Sequence, residues 1–439
     1  MSKLALLGGL PARTKLFPAY NTMGEQEKRA AIEVIESGNL SQFLGAWHED
    51  FYGGPKVRAF EGAWADSMGA RYAMSVNSNT SGLFAAIGAV GIQPGDEVIV
   101  SPYTMSASAI APLGYGGVPV FADIDEDIFC ISPSAFRKAI TSRTKAIVIV
   151  HIFGQAADMD EIMAIAREHK IAVIEDCAQV PGGTYKGKPL GAIGDLGVFS
   201  LNYHKHIHTG EGGVVTTNSE ELLERLQLIR NHGENIAGPK GITNLLNTYG
   251  YNYRMPEIEA AIGIEQLKKL PSLIARRIEL ANEFTRRLGN LPGITPPKVR
   301  PGNKHVYYQH ACRFDAEKNG ISRDTFVKAL KAELPSAVLR ETTPILNAGY
   351  VKPLYLLPIF QQRTGACAFN CSRYEGKVSY DKGLCPTAER MHFKELFSHE
   401  YIRPGMEKQD VEDVMNGFEK IFENLPALKN WELTQQPSQ

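Results

Sequence analysis

The stretch "NYHKHIHTGEGG", residues 202–213, sets His204, His206 and His208 at alternate positions around Lys205 and then runs into glycine. Two chemistries fit it. In an extended chain the three histidines share one side, opposite Lys205, and alternating imidazoles can bind a metal ion. Glu211 is the one acid nearby. Alternatively Lys205 is the reactive group. A lysine held at a strand end forms a Schiff base with a carbonyl once burial or neighbouring cations lower its pKa, and His204 and His206 stand where they can help do that. Ser200, at the end of the apolar run before it, can contact a phosphate. The glycines permit close approach and unusual dihedrals. The plain alternative is a solvated loop lysine.

Three other stretches carry chemistry of a matching kind. In "NSNTSGL", Asn77 to Leu83, small hydroxyl residues sit where a strand gives way to a helix. Free N–H groups and the helix dipole make such a turn an anion site, and Thr80 and Ser81 can add hydroxyl donors; an ordinary N-cap is the alternative. In "VIEDCAQVPGG", Asp176 ends a hydrophobic strand, where a carboxylate can hold a proton on a heteroaromatic nitrogen or simply cap a turn. Glu175 precedes it and points the other way if the strand continues, and Gln179 can donate to an oxygen of the same ligand. In "GYNYRMPEIEAAI", Asn252 and Arg254 stand just before a helix, where an anion can bind.

The elements that must position these residues are legible as well. From Tyr72 to Asn218, short β-branched runs alternate with helical patterns such as "DMDEIMAIAREHK". Val- and Ile-rich strands with little alternation predict a mostly parallel, doubly wound α/β sheet covered on both faces, with its ligand beyond the carboxyl ends of the strands. "LGVFSLN" and "GGVVTTN" complete it, and at least one of them is expected to run antiparallel. A long helical pattern follows from "MPEIEAAI", with Pro271 expected to break or kink it. The strand-like "HVYYQHACRF" and the helix "SRDTFVKALKAEL" then belong to a smaller C-terminal α+β domain. The expected division is 1–270, including an N-terminal arm, and 271–439. The tail "NWELTQQPSQ" reads as frayed.

Composition excludes several classes. The chain has 439 residues, 44% hydrophobic and 22% charged, with net charge −1. That balance offers no basic footprint for nucleic acid and no polybasic surface for anionic lipid. No apolar run approaches a membrane span, and the start lacks a signal-peptide pattern, so a cytoplasmic location is expected. Six cysteines in a chain this long read as free thiols in a reducing compartment. Cys367, Cys371 and Cys385 with His392 are a conceivable zinc set, but their spacing fits no paired CxxC pattern, and no metal is expected.

An anion cradle, an acid for a ring nitrogen and a nucleophilic lysine form one set, and together they match pyridoxal 5'-phosphate. The chain resembles the DegT/DnrJ/StrS family of sugar aminotransferases, which are fold-type I pyridoxal phosphate enzymes. The resemblance covers nearly all of it, from "RAFEGAWADSMGARYAMSVNSNTSGL" to "LCPTAERMH". Its most specific pieces are "IEDCAQ", "FSLNYHKHIHTGEGG" and "GYNYRMPEIEAAI". The resemblance implies that Lys205 bonds the cofactor's aldehyde carbon and later moves the proton between substrate and cofactor. It implies that Asp176 pairs with the ring nitrogen, that Gln179 contacts the ring hydroxyl, and that Thr80, Ser81 and Ser200 bind the phosphate. Asn252 would reach the cofactor phosphate of a neighbouring subunit, which implies a homodimer with shared active sites.

Two features depart from the family pattern. Where members usually stack an aromatic residue on the ring after a threonine, this chain has Thr104 followed by Met105. A methionine still packs on a ring face. The extra residues "QQRTGACAFNCSRYEGKVSY" are expected to shape the acceptor pocket. The implied activity is ping-pong transfer of an amino group from L-glutamate or L-glutamine to a nucleotide-linked ketohexose or a ketocyclitol, in amino-sugar, antibiotic or polysaccharide biosynthesis. "GYVKPLYLLPIF" and "LCPTAERMH" look like the cyclitol branch. The sugar 3-dehydratases of the family carry histidine where this chain has Lys205, which favours transamination. A dehydratase of the aminohydroxybenzoate-synthase type keeps the lysine and is the alternative. A non-catalytic regulator is a third reading, without a basic patch or helix-turn-helix signal to support it.

Overall fold

The computed structural model describes residues 2–339, 341–363, 367–370 and 372–435. Seven strands form the main sheet: β1 (Tyr72–Val76), β2 (Glu97–Val100), β3 (Val118–Phe121), β4 (Thr144–Val150), β5 (Ala172–Asp176), β6 (Leu196–Ser200) and β7 (Gly213–Thr217). Their order is β1-β7-β6-β5-β4-β2-β3, and β7 alone runs against its neighbours. Strands β2, β6 and β7 are buried along their whole length, as expected for a sheet covered on both faces. The turn from β6 back into the antiparallel β7 holds residues 201–212, so the histidine-lysine stretch hangs at the carboxyl edge of the sheet.

Glycines set two close approaches there. A Cβ on Gly213 would stand 2.7 Å from the backbone N of Asn79, so β7 could not lie against the start of helix Asn79–Ala89 with any larger residue. Gly154 has φ 91°, and a Cβ there would meet the backbone nitrogens of Tyr307 and Tyr308 at 2.8 Å.

Helix Glu257–Leu288 runs uninterrupted through Pro271, contrary to the expected break. Proline removes one hydrogen bond and crowds the preceding turn. Here Leu267, Leu270 and Ile274 are buried on either side of it, and their packing holds the helix together. The same helix serves two cores. Its first half joins the core that holds Phe60, Val198 and Phe199. Its second half, through Leu280, Phe284 and Leu288, packs with Phe326, Phe397 and Phe418. The position between residues 270 and 271 lies inside this helix, and Leu4 and Phe17 join the second core.

The C-terminal region carries a four-stranded antiparallel sheet of β8 (Ile294–Thr295), β9 (His310–Phe314), β10 (Leu346–Ala348) and β11 (Leu396–His399), ordered β8-β9-β11-β10. Only the second half of "HVYYQHACRF" is strand. Tyr307 has φ 51°, and Val306 N–H bonds back to Gly154 O at 3.0 Å, which turns 305–309 out of the sheet and toward the main domain. Of the tail expected to fray, residues 430–435 continue the helix Leu425–Gln435, whose Leu428 is buried in the second core, and residues 436–439 lie outside the described residues.

Among the described residues of the insertion expected at the acceptor pocket, two tyrosines reach the main sheet. Tyr374 OH donates to Glu97 Oε1 at 3.0 Å and Tyr380 OH to Pro119 O at 2.8 Å. Phe360 and Tyr380 pack on Phe121. Its described residues therefore cover the edge strand β3. Cys371 lies outside the described residues, while Cys385 is buried with its N–H on Tyr355 OH at 3.3 Å. No helix among the described residues is long and apolar enough to cross a membrane.

Glu257, the first residue of the long helix, reaches across to the amino end of helix Pro55–Met68 and accepts the N–H groups of Lys56 at 2.8 Å and Val57 at 3.2 Å. It satisfies two orphan donors and opposes the helix dipole. Glu257→Ala is expected to lower stability by about 1–2 kcal/mol, read from chemical denaturation; an unchanged midpoint would show that the cap carries no weight.

Candidate active site

β5 ends in two carboxylates that face opposite ways. Glu175 accepts from Gly191 N at 3.0 Å, Ile193 N at 2.9 Å and Gly194 N at 2.7 Å, and pairs with His151 Nε2 at 2.9 Å. His151 Nδ1 accepts Ala157 N–H, so Nε2 carries the proton toward Glu175. Burial pushes Glu175 up, but the bond from His151 and the amides outweigh it and hold its pKa below the usual carboxylate range. Asp176 is 4% exposed and accepts from Ser108 Oγ at 2.8 Å, Ala178 N at 3.2 Å and Asn79 Nδ2 at 3.4 Å. Burial dominates there. Those bonds and the charge of Lys205 offset it only in part, and the Asp176 pKa stays above its ordinary value. Asp176 is a buried acid short of a cation.

Lys205 sits in the turn between β6 and β7. Its N–H bonds to Asn202 O at 2.9 Å, while Leu201 N–H bonds to Gly212 O at 2.9 Å and Thr209 N–H to Leu201 O at 3.0 Å. The ammonium lies 4.5 Å from the centre of the Tyr308 ring. Burial lowers the Lys205 pKa to about 8, against the pull of Asp176 and Glu400.

The turn disperses the histidines that an extended chain would have aligned. His204 is exposed at the cavity rim, its ring 3.6 Å from that of Tyr203. His206 is buried and bonds through Nε2 to Val306 O at 2.9 Å. Burial, with Arg277 and Lys205 near it, holds His206 well below its ordinary pKa, so it is neutral. His208 Nδ1 accepts Gly210 N–H at 3.3 Å. Among the described residues, the grouping with metal-ligand spacing is His151, Glu175 and Cys177. The backbone amides and the imidazole described above already occupy its carboxylate oxygens.

One cavity of about 330 Å³ gathers Thr80, Met105, Asp176, Gln179, Ser200 and Lys205. Thr80 lies in the first turn of helix Asn79–Ala89, where N–H groups point outward. Ser81 stands behind it, its hydroxyl donating to Asn77 Oδ1 at 2.6 Å and its N–H to Ser78 Oγ at 3.0 Å. Ser200 ends β6. Gln179 is oriented from both sides: Phe153 N–H donates to its Oε1 at 2.6 Å, and its Nε2 donates to Tyr350 OH at 3.0 Å. Met105 is 56% exposed at the rim. Asn252 does not line this cavity; it is exposed and accepts from Arg254 Nε at 2.7 Å.

Four contributors escaped sequence reasoning as site residues. Asn79 and Ser108 lie inside stretches already singled out, one position from Thr80 and three from Met105. Tyr308 and Tyr350 come from far along the chain, and only the fold brings them to Lys205 and Gln179.

The arrangement suits a ligand with an anion at one end, a basic ring nitrogen at the other and a carbonyl between them. Hydroxyls and a helix N-terminus take the anion. A protonated ring nitrogen would give Asp176 the cation it lacks. Lys205, whose lowered pKa of about 8 brings the free amine within reach, would meet the carbonyl. The residues present therefore fit pyridoxal phosphate.

Comparison with known proteins agrees. The model of the DegT/DnrJ/EryC1/StrS aminotransferase family matches residues 33–419. The spore coat polysaccharide biosynthesis protein SpsC of Bacillus subtilis (strain 168) is 35% identical over 405 residues, covering 91% of this chain and 95% of that protein. L-glutamine:scyllo-inosose aminotransferase of Streptomyces griseus is 32% identical, covering 97% and 98%. The crystal structure of DesI in the presence of its TDP-sugar product superposes with a TM-score of 0.79 at 25% identity, covering 97% of this chain and 98% of that one. The doubly wound sheet with its C-terminal α+β region is thus the fold-type I arrangement, and the chain belongs to the DegT/DnrJ/EryC1/StrS aminotransferase family.

Proposed function

We propose that this enzyme is a pyridoxal 5'-phosphate-dependent aminotransferase that takes an amino group from L-glutamine or L-glutamate and delivers it, in a ping-pong cycle, to a ketocyclitol or a nucleotide-linked ketohexose. The observation that carries the reading is the pairing of a buried acid without a salt-bridge partner, Asp176, with a lysine of lowered pKa, Lys205, in one cavity. Relatives named for scyllo-inosose amination and for polysaccharide biosynthesis support the acceptor class. The cofactor, when bound, supplies an electrophilic carbon and an electron-withdrawing ring.

The chain's own groups do the rest. Thr80, Ser200 and the free N–H groups of helix Asn79–Ala89 hold the phosphate. Asp176 keeps a proton on the ring nitrogen, and Asn79 and Ser108 fix that carboxylate. The Gln179 amide, pinned by Phe153 and Tyr350, offers its second N–H to the ring oxygen. Lys205 takes a proton from the donor's α-carbon and delivers it to the cofactor's aldehyde carbon, and moves one the opposite way as the acceptor's ketone becomes an amine. Met105 packs over the ring from the rim. Ser81 keeps the phosphate turn in shape, and Asn252 reaches the partner subunit's site in a homodimer.

Adding pyridoxal phosphate to the purified protein should give the visible band of a lysine-bound cofactor. L-glutamine or L-glutamate should bleach that band and raise the shorter-wavelength band of the aminated cofactor. A bound cofactor that neither donor changes would sink the donor assignment. Lys205→Ala should abolish turnover with cofactor still bound noncovalently, and Asp176→Asn should lower kcat about a hundredfold or more; unchanged turnover in either refutes its role. Without cofactor, Lys205 is an ammonium below its pKa and a free amine above it. Its carbamylation by cyanate should therefore rise with pH through a midpoint near 8, well below that of the exposed lysines.

A further inference from the structure

Behind Lys205 lies a set of contacts that the reaction does not use directly. Arg277, on the long helix, is 1% exposed. Among the described residues it has no carboxylate partner. Its Nη1 donates to Tyr307 O at 3.1 Å, and its guanidinium lies 4.8 Å from the centre of the Tyr20 ring. Tyr20 OH donates in turn to His206 O. The carbonyls held in this way belong to the residue before Tyr308 and the residue after Lys205, the ring and the ammonium that face each other.

A second rung runs parallel to the first. Gln266, fully buried, stands eleven residues and about three turns earlier on the same helix, and so on the same stripe. Its Oε1 accepts Thr22 Oγ1 at 2.6 Å and His208 N–H at 3.4 Å, and its Nε2 donates to Thr22 O at 3.0 Å. Residues 20–22 of the N-terminal arm are thus clasped between the helix and the turn that carries Lys205.

A buried guanidinium without a counter-ion is costly, and here its one hydrogen bond among the described residues goes to a backbone carbonyl rather than to an acid. Arg277 Nε has no hydrogen-bond partner. A packing role alone is met by leucine or methionine; a donor held rigidly on the carbonyl of a left-handed Tyr307 is not.

We infer that Arg277 is a positioning residue for the amine of Lys205, acting through Tyr307 on one side and through Tyr20 and the His206 carbonyl on the other. The N-terminal arm is part of the site's machinery through Tyr20. This rests on Lys205 being the reacting amine, which the loss of turnover in Lys205→Ala tests separately.

The test reads the amine itself. In the full-length chain freed of cofactor, cyanate labelling of the Lys205 peptide is followed by mass spectrometry across pH. Asp176, Glu400, Tyr308 and His206 face the lysine and are left intact. If the brace is cut, the turn relaxes outward and the amine gains water. In Tyr20→Phe, which loses one oxygen and no ring, the labelling midpoint should rise by about half a unit or more toward an ordinary lysine. Arg277→Met should move it at least as far, and Arg277→Lys, which keeps a charge and a donor, should recover part of the shift. If Arg277→Met does not fold, Tyr20→Phe still decides. A midpoint in folded Tyr20→Phe equal to that of the parent overturns the inference.

Discussion

Everything at the carboxyl edge of the sheet depends on giving two neighbouring carboxylates opposite surroundings. Strand alternation sends Glu175 and Asp176 to different faces. Glu175 meets three amides and an imidazole, and is held as an anion. Those amides belong to the turn at 191–194 that feeds β6, so one saturated carboxylate fixes where β6 starts and hence where Ser200 ends it. Asp176 receives only neutral donors. A buried carboxylate without a salt-bridge partner is disfavoured by several kcal/mol in principle, and burial accordingly keeps the Asp176 pKa above its ordinary value.

The lysine turn answers the same electrostatic logic from the other side. Burial works against its ammonium as it works against the carboxylate, and the two are kept in one cavity without a direct salt bridge. A salt bridge would have quenched both groups. Tyr308 takes up the space beside the ammonium and offers a ring face in place of a counter-ion.

Much of this was legible in the sequence. The parallel sheet announced itself through β-branched runs, and Asp176, Lys205, Thr80 and Ser200 stood at element ends, where chemistry collects. Three things were not legible, each for a physical reason. The spread of the histidines depends on a turn between strands, and alternation describes only extended chain. Pro271 was outvoted by burial on both of its sides. The insertion read as pocket lining because it departs from the family pattern, yet its aromatics found an uncovered strand edge first. Tyr308 and Tyr350 carried no local signal at all, since their role exists only after distant elements meet.

The long helix belongs to two hydrophobic cores at once, and the arm at the start of the chain closes over the second of them. Neither core keeps its full set of partners if the other melts, because each loses one half of a shared rod. Denaturation should then behave as one cooperative event, without a half-folded species in which the sheet stands and the C-terminal strands do not. The turn that carries Lys205 is then held in its final place only when the elements of the second core have docked on the shared helix.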